Sequence, residues 1–212
     1  MKIKVCGLKH PQNIRDVIES GADILGFIFY PDSPRYFENN AESLSEIDFK
    51  QTLKAGVFVN ETINKLITKA KSFKLDLLQL HGNETPDYCR ELKEQSFNIV
   101  KAISIGNSFD FNQLNAYRNS VDYFLFDTKT TAYGGSGQKF DWSILKQYTM
   151  EIPVILSGGI GPEDTNLIAE LNKQLPLYAI DINSKFEINP GKKDIPKVTK
   201  FIKQLKDEIP GR

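Results

Sequence analysis

The chain is poor in the residues that impose order through covalent or metal bonds. Its 212 residues include two cysteines, Cys6 and Cys89, and two histidines. Two thiols in a chain of this size make no disulfide framework and point to a reducing, cytoplasmic compartment. His81 follows a strand-like run with no partner ligands to suggest a metal. No apolar run is long enough to span a bilayer. The opening Met-Lys-Ile-Lys-Val-Cys-Gly reads as a strand and lacks the apolar core of a signal peptide. Charge excess is missing too: 27 Lys and Arg offset 27 Asp and Glu, leaving no field that would draw the chain to nucleic acid or an anionic membrane. There is no low-complexity segment and no linker, so one domain over residues 1–212 is expected. Cys6-Gly7-Leu8-Lys9-His10 carries no dinucleotide fingerprint after the first strand, which argues against an open doubly wound sheet.

What is there is an end-to-end alternation of short apolar runs with helical patterns. Strands are expected at 3–6, 24–29, 54–59, 75–80, 97–103, 123–126, 153–156 and 177–182. Helices are expected at 11–20, 62–73, 86–94 and 195–208, and in weaker form at 41–48 and 111–118. Two more open at Asp141 and Pro162. Most of the strands are near-continuous apolar runs rather than apolar/polar alternations, which suits parallel strands covered on both faces by crossover helices. Eight such units predict an α/β fold, a parallel eight-stranded (β/α)8 barrel.

In such a barrel the C-terminal strand ends open onto one face, where active sites are built. Those ends carry Cys6, Arg35, Asn60, His81, Asp127, Ser157-Gly158-Gly159 and Asp181 to Ser184. Asp127 tips a strand and precedes a glycine-rich loop with Gly134, Gly135 and Gly137. Taken alone it is an acid, a base, a nucleophile or a turn residue. Cys6 closes the first strand, where a thiol serves as base or nucleophile if its pKa falls from about 8.5 towards neutrality. The alternative for Cys6 is a small buried hydrophobe. Gly158-Gly159 before the helix at Pro162, with Asn183 and Ser184 after the eighth strand, has the placement of a barrel phosphate site. Arg35, after a proline-stiffened turn, suits a carboxylate.

With those residues in place, the chain resembles the phosphoribosylanthranilate isomerases of tryptophan synthesis. The resemblance is carried by Lys4-Val-Cys6-Gly7-Leu8, Gly26-Phe-Ile-Phe29, Ser33-Pro-Arg35-Tyr36, Gly56-Val-Phe-Val-Asn60 and Leu78-Gln-Leu-His81-Gly82. It continues through Asp127, Gly134-Gly-Ser-Gly137, Leu156-Ser-Gly-Gly-Ile160 and Asp181-Ile-Asn-Ser184, nearly the whole chain in order. One departure stands out: Lys185-Phe186 follows the loop-eight Ser, where the family usually has Gly. The resemblance implies a cofactor-free Amadori rearrangement of a small-molecule phosphosugar, with no metal. It implies Asp127 as general acid and Cys6, as thiolate, as general base. Arg35 would hold the anthranilate carboxylate. Gly158, Gly159, Asn183 and Ser184 would cradle the phosphate, His81 would be a further substrate-site residue, and Asp181 would order the eighth loop. Gly134, Gly135 and Gly137 become hinge positions of a lid. Family members are monomers or homodimers. The aminoimidazole-carboxamide isomerase of histidine synthesis performs the same rearrangement, typically with two Asp, whereas the first strand here ends in Cys6.

Overall fold

The computed structural model describes residues 1–38, 41–106, 108–128 and 141–209. Eight parallel strands follow one another round a closed barrel: β1 Lys2–Cys6, β2 Ile24–Ile28, β3 Leu53–Phe58, β4 Leu77–Leu80, β5 Asn98–Ile105, β6 Tyr123–Thr128, β7 Val154–Leu156 and β8 Leu177–Ile182. Pairing of β8 with β1, Ala179 beside Lys2 and Ile182 beside Val5, closes the ring. The (β/α)8 expectation therefore holds. Along each strand, side chains alternate between the barrel interior and the helix layer. Ile24, Ala55, Leu77, Val100, Leu125, Ile155 and Ala179 fill the interior. Ile3, Val5, Phe27, Leu78, Leu80, Phe124, Phe126 and Ile180 pack outward, into the larger core under the helices. Above the apolar plug the inward positions turn polar. Lys4, Gln79 and Asp181 are all buried there, and they form the floor of the barrel mouth.

The base of the barrel repeats one device. Asp23, Asp76 and Asp122 each stand directly before an even-numbered strand. Each accepts a hydrogen bond from the first amides of the preceding strand: Ile3 N–H at 2.8 Å, Lys54 N–H at 2.7 Å and Ile99 N–H at 2.8 Å. The backbone N–H of each Asp returns a bond to the carbonyl of the same residue. This two-way clamp fixes the register of neighbouring strands, and with it which side chains reach the mouth.

Among the described residues four connections contain α-helices, α1 Pro11–Glu19, α2 Ile63–Phe73, α3 Pro86–Glu94 and α4 Thr165–Asn172, and a fifth helix, α5 Ile195–Glu208, closes the chain. Thr85 and Asp194 cap the last two of the proline-led starts, accepting from Tyr88 N–H and Lys197 N–H. Three expected helices are instead 3₁₀ turns: Ala41–Leu44, Phe111–Tyr117 and Trp142–Gln147. The reason is in their spacing. Phe111, Leu114 and Tyr117 pack inward at intervals of three, as do Trp142, Leu145 and Tyr148. A repeat of three matches the three residues per turn of a 3₁₀ helix, not 3.6. After β8 the chain adds an unexpected hairpin, β9 Glu187–Asn189 with β10 Lys192–Lys193, turned at Gly191 with φ +87°. Among the described residues no helix is long and apolar enough to cross a membrane.

Candidate active site

The C-terminal ends of the strands line a cleft that opens to solvent at the barrel mouth. Cys6, His81, Asp127, Gly158, Gly159, Asp181, Asn183 and Ser184 all line it. Those eight sequence-derived positions are thus brought to one place. Arg35 is not among the lining residues, and Gly134, Gly135 and Gly137 lie outside the described residues. Asn60 ties two loops together instead, its Oδ1 accepting from Asn83 N–H at 2.7 Å.

Cys6 is 4% exposed. It pairs with Gly26 across β1 and β2. A Cβ on Gly26 would lie 2.6 Å from the Cys6 Sγ and 2.9 Å from its Cα, so glycine there is what makes room for the thiol. The expectation of a lowered thiol pKa is corrected by the fold: burial pushes the Cys6 thiol up. The Lys4 ammonium opposes this, Asp181 adds to it, and Lys193 also opposes it. Desolvation outweighs the lysines because the sulfur sits below the rim, out of water.

Asp127, the penultimate residue of β6, has its side chain about one-fifth exposed. Its Oδ1 accepts from Thr128 N–H at 2.8 Å, and its Oδ2 faces His81 Nε2 at 3.4 Å. The Gln79 amide nitrogen lies 2.8 Å from His81 Nδ1. With the amide donating, Nδ1 accepts, and the ring proton is left on Nε2, the nitrogen nearer Asp127. Gln79 Oε1 is buried without a partner among the described residues.

Arg35 is buried, and its guanidinium forks onto Glu187. Nε donates to both carboxylate oxygens at 2.9 and 3.0 Å, and Nη2 donates to Oε2 at 2.7 Å. Glu187 Oε1 also accepts from Lys193 Nζ at 2.7 Å and from Gly191 N–H at 3.1 Å. Burial works against the Glu187 charge, but Arg35 and Lys193 outweigh it and hold the carboxyl below its ordinary value. Lys193, 1% exposed, also donates to Asn183 Oδ1 at 2.7 Å. Asp181 accepts from Lys4 Nζ at 2.9 Å and from Ser157 Oγ at 3.2 Å. Its carboxylate therefore ties β8 to β1 and β7 and is already matched by a cation.

Gly158 and Gly159 have φ of +90° and +64°. Successive left-handed glycines turn neighbouring amides to one side, an anion-binding concavity. Gly158 has a second reason to lack a side chain, since a Cβ would sit 2.8 Å from Asp127 Oδ1 and 2.6 Å from Thr128 N. The Gly161 amide is already taken by Asp164 Oδ2 at 2.7 Å. Lys185, on the far side, lies 3.5 Å from Glu163 Oε1.

Four contributors escaped the sequence reading: Lys4, Gln79, Glu187 and Lys193. The first two did leave a signal. Lys4 interrupts an apolar strand two places before Cys6, and Gln79 does so two places before His81, so each shares the inward face of its partner.

Comparison with known proteins narrows what this mouth does. The family model described as N-(5′-phosphoribosyl)anthranilate (PRA) isomerase matches residues 3–204. A protein of Parabacteroides distasonis named N-(5′-phosphoribosyl)anthranilate isomerase is 48% identical over 208 residues, 97% of this chain and 93% of its own length. The crystal structure of phosphoribosyl anthranilate isomerase from Thermotoga maritima superposes with a TM-score of 0.85 at 35% identity, covering 98% of this chain and 99% of that one. A further crystal structure of the isomerase, at 31% identity and TM-score 0.81, with 98% and 99% covered, is in complex with reduced 1-(o-carboxyphenylamino)-1-deoxyribulose 5-phosphate.

Proposed function

The chain belongs to the N-(5′-phosphoribosyl)anthranilate isomerase family, and from that premise we propose how its barrel mouth carries the reaction. The enzyme converts N-(5′-phosphoribosyl)anthranilate to 1-(2-carboxyphenylamino)-1-deoxyribulose 5-phosphate in tryptophan biosynthesis. The observation that carries the residue assignment is that Cys6 and Asp127 face one cavity from strands three places apart round the barrel. A sugar between them meets a proton acceptor on one side and a proton donor on the other.

Asp127, as the carboxylic acid, gives its proton to the furanose ring oxygen. The bond from that oxygen to C1′ breaks, and the anthranilate nitrogen supplies electrons to form an iminium. Cys6, as thiolate, takes the proton from C2′. The electron pair left behind forms C1′=C2′ and neutralises the iminium nitrogen, giving an enolamine. A proton then returns to C1′ and another leaves the C2′ hydroxyl, which becomes the ketone. Atoms and electrons balance within the substrate, so the two side chains only move protons. His81, with Nε2 at 3.4 Å from Asp127 Oδ2, steadies the acid after it has given up its proton.

Gly158, Gly159, Asn183 and Ser184 are the proposed phosphate cradle, supported by the paired left-handed glycines. Arg35 is the proposed carboxylate ligand. Glu187 occupies its Nε and Nη2 side, so the anthranilate carboxylate would be met by the Nη1 side. Asp181, matched by Lys4, orders the mouth rather than touching a dianion. Both cysteines are free thiols, in keeping with the cytoplasmic, one-domain enzyme we infer.

Asp127→Asn and Cys6→Ala test the assignment. Each should lower turnover by about 10²–10⁴ with little change in substrate affinity. Near-normal turnover in either variant removes that residue from proton transfer. Failure of the wild-type gene to restore growth of a tryptophan auxotroph lacking the isomerase would contradict the activity itself.

A further inference from the structure

A buried Cys6 has to lose a proton where burial favours keeping it. The groups around it show what opposes that. Lys4 lies two residues earlier on β1, on the same inward face, and is 1% exposed. Its Nζ donates to Asp181 Oδ1 at 2.9 Å, and Asp181 is itself held by Ser157 Oγ. From β10 comes Lys193, and from β9 comes Glu187, which grips both Lys193 and Arg35. Across the mouth stand Asp127 of β6 and His81, just beyond β4.

The charges of the buried group on the Cys6 side do not cancel among themselves. Among the described residues it holds three cations, Lys4, Lys193 and Arg35, against two carboxylates, Asp181 and Glu187. One negative charge is missing, and a thiolate at Cys6 supplies it. Buried charge without a counter-ion is costly, so such a cluster favours the ionised thiol. Lys193 and Arg35 are shared with Glu187, whereas among the described residues Lys4 is paired with Asp181 and shares the inward face of β1 with the thiol.

We propose that Lys4 is a positioning residue that serves as counter-ion to the Cys6 thiolate from the same inward face of β1, its ammonium held there by Asp181. This deepens the reading of Cys6 as base. Lys4 is the strongest influence pulling the thiol down against burial, while Asp181 pushes with burial. That opposition separates the proposal from a purely structural Lys4–Asp181 pair. Breaking a structural pair from either end should disturb Cys6 in the same direction. A counter-ion and the carboxylate that competes for it should move it in opposite directions.

The experiment is the pH dependence of iodoacetamide alkylation of the free enzyme, in a Cys89→Ala background so that one thiol reports. Lys4→Met should slow alkylation at neutral pH by about tenfold or more and move its midpoint to higher pH. Asp181→Asn should speed alkylation at neutral pH and lower the midpoint. Lys4→Arg, which keeps the charge, should stay near wild type. If Lys4→Met does not fold, as judged by circular dichroism, the Lys4→Met/Asp181→Asn double variant takes its place. It should have a midpoint above wild type, because Lys4 shares the thiol's own strand face whereas Asp181 stands on the neighbouring strand, opposite Lys4. Midpoints that shift the same way in both single variants, or in neither, overturn the proposal, as does a double variant at or below wild type. Because alkylation uses no substrate, this result is independent of whether Cys6→Ala retains turnover, which bears on the base assignment alone.

Discussion

Replacing Gly26 by alanine puts a methyl carbon where the Cys6 thiol already is. The added Cβ would be 2.6 Å from Sγ, 3.1 Å from Cβ and 2.9 Å from Cα of Cys6. The sulfur can reach ordinary van der Waals separation by swinging about 1 Å, and a misplacement of that size at a reacting group can cost about 10²-fold in rate. The clash with the Cys6 main chain cannot be relieved by rotating a side chain, so β1 and β2 must also part by a few tenths of an ångström. Overpacking of this kind costs about 1–3 kcal/mol, which for a chain of this length is a fall in melting temperature of about 2–12 °C. Steady-state turnover can be followed through the anthranilate fluorophore, with calorimetry for the melting point. The expected pattern is a kcat loss of about 10²-fold with KM changed far less, because the proposed phosphate and carboxylate ligands do not touch Gly26. Wild-type kcat together with an unmoved melting temperature would refute both the tight packing of Gly26 on Cys6 and the dependence of catalysis on where the sulfur sits.

Two further perturbations probe the buried ion pairs. The folded-state pKa of Glu187 is depressed from 4.5, so its stabilisation is complete well above that value and is lost as pH falls through the folded-state pKa. Glu187→Gln should therefore be less stable at neutral pH by about 3–5 kcal/mol, since two buried cations lose their partner. Its denaturation midpoint should also vary less with pH on the acid side; equal acid sensitivity in urea titrations at several pH values would contradict the pairing. Lys101 tests a buried pair outside the cavity lining, one that ties down the backbone on either side of His81. Its Nζ meets Glu84 Oε2 at 3.0 Å and the carbonyls of Leu80 and Gly82, with both side chains almost fully buried. Lys101→Met should cost about 3–5 kcal/mol; a melting temperature lowered by less than about 2 °C would refute it.

The parts of this molecule that were legible in its sequence are those fixed by near neighbours along the chain. β8, α3 and α5 have the expected ends, and the other barrel strands differ by two residues at most at either end. A strand buried on both faces announces itself as a short apolar run whatever surrounds it. Cys6 and Asp127 were legible for a related reason, because residues at the C-terminal end of a parallel barrel strand must lie at the mouth. The 3₁₀ turns were misread because a spacing of three and one of 3.6 differ little over two turns. What could not be read was pairing across long separations. Arg35 and Glu187 lie 152 positions apart, and Asn13 and Lys193 lie 180 apart. Neither position hints at the other until the barrel closes. The thiol pKa failed for the same reason. Its direction follows from how deeply β1, β2 and β8 together bury the sulfur, and burial belongs to the closed fold rather than to Cys6 and its immediate neighbours.

The aspartate clamps at the base of the barrel bear on where the chain can be opened. Each clamp joins an odd strand to the even strand after it: Asp23 reaches Ile3, Asp76 reaches Lys54 and Asp122 reaches Ile99. At the corresponding place beside β7, Pro176 stands before β8 and offers only its carbonyl to Val154 N–H, at 2.9 Å. The ring is thus a set of stapled doublets with one unstapled pair, not eight equivalent staves. A nick or a circular permutation between β2 and β3, or between β4 and β5, leaves every staple within one continuous stretch of chain. A break within α1, α2 or the Phe111–Tyr117 turn puts the two halves of a staple on different sides of the cut. Split into fragments, the enzyme divides most cleanly after β4, with Cys6 carried by one piece and Asp127 by the other, so that reassembly and the restoration of proton transfer become the same event.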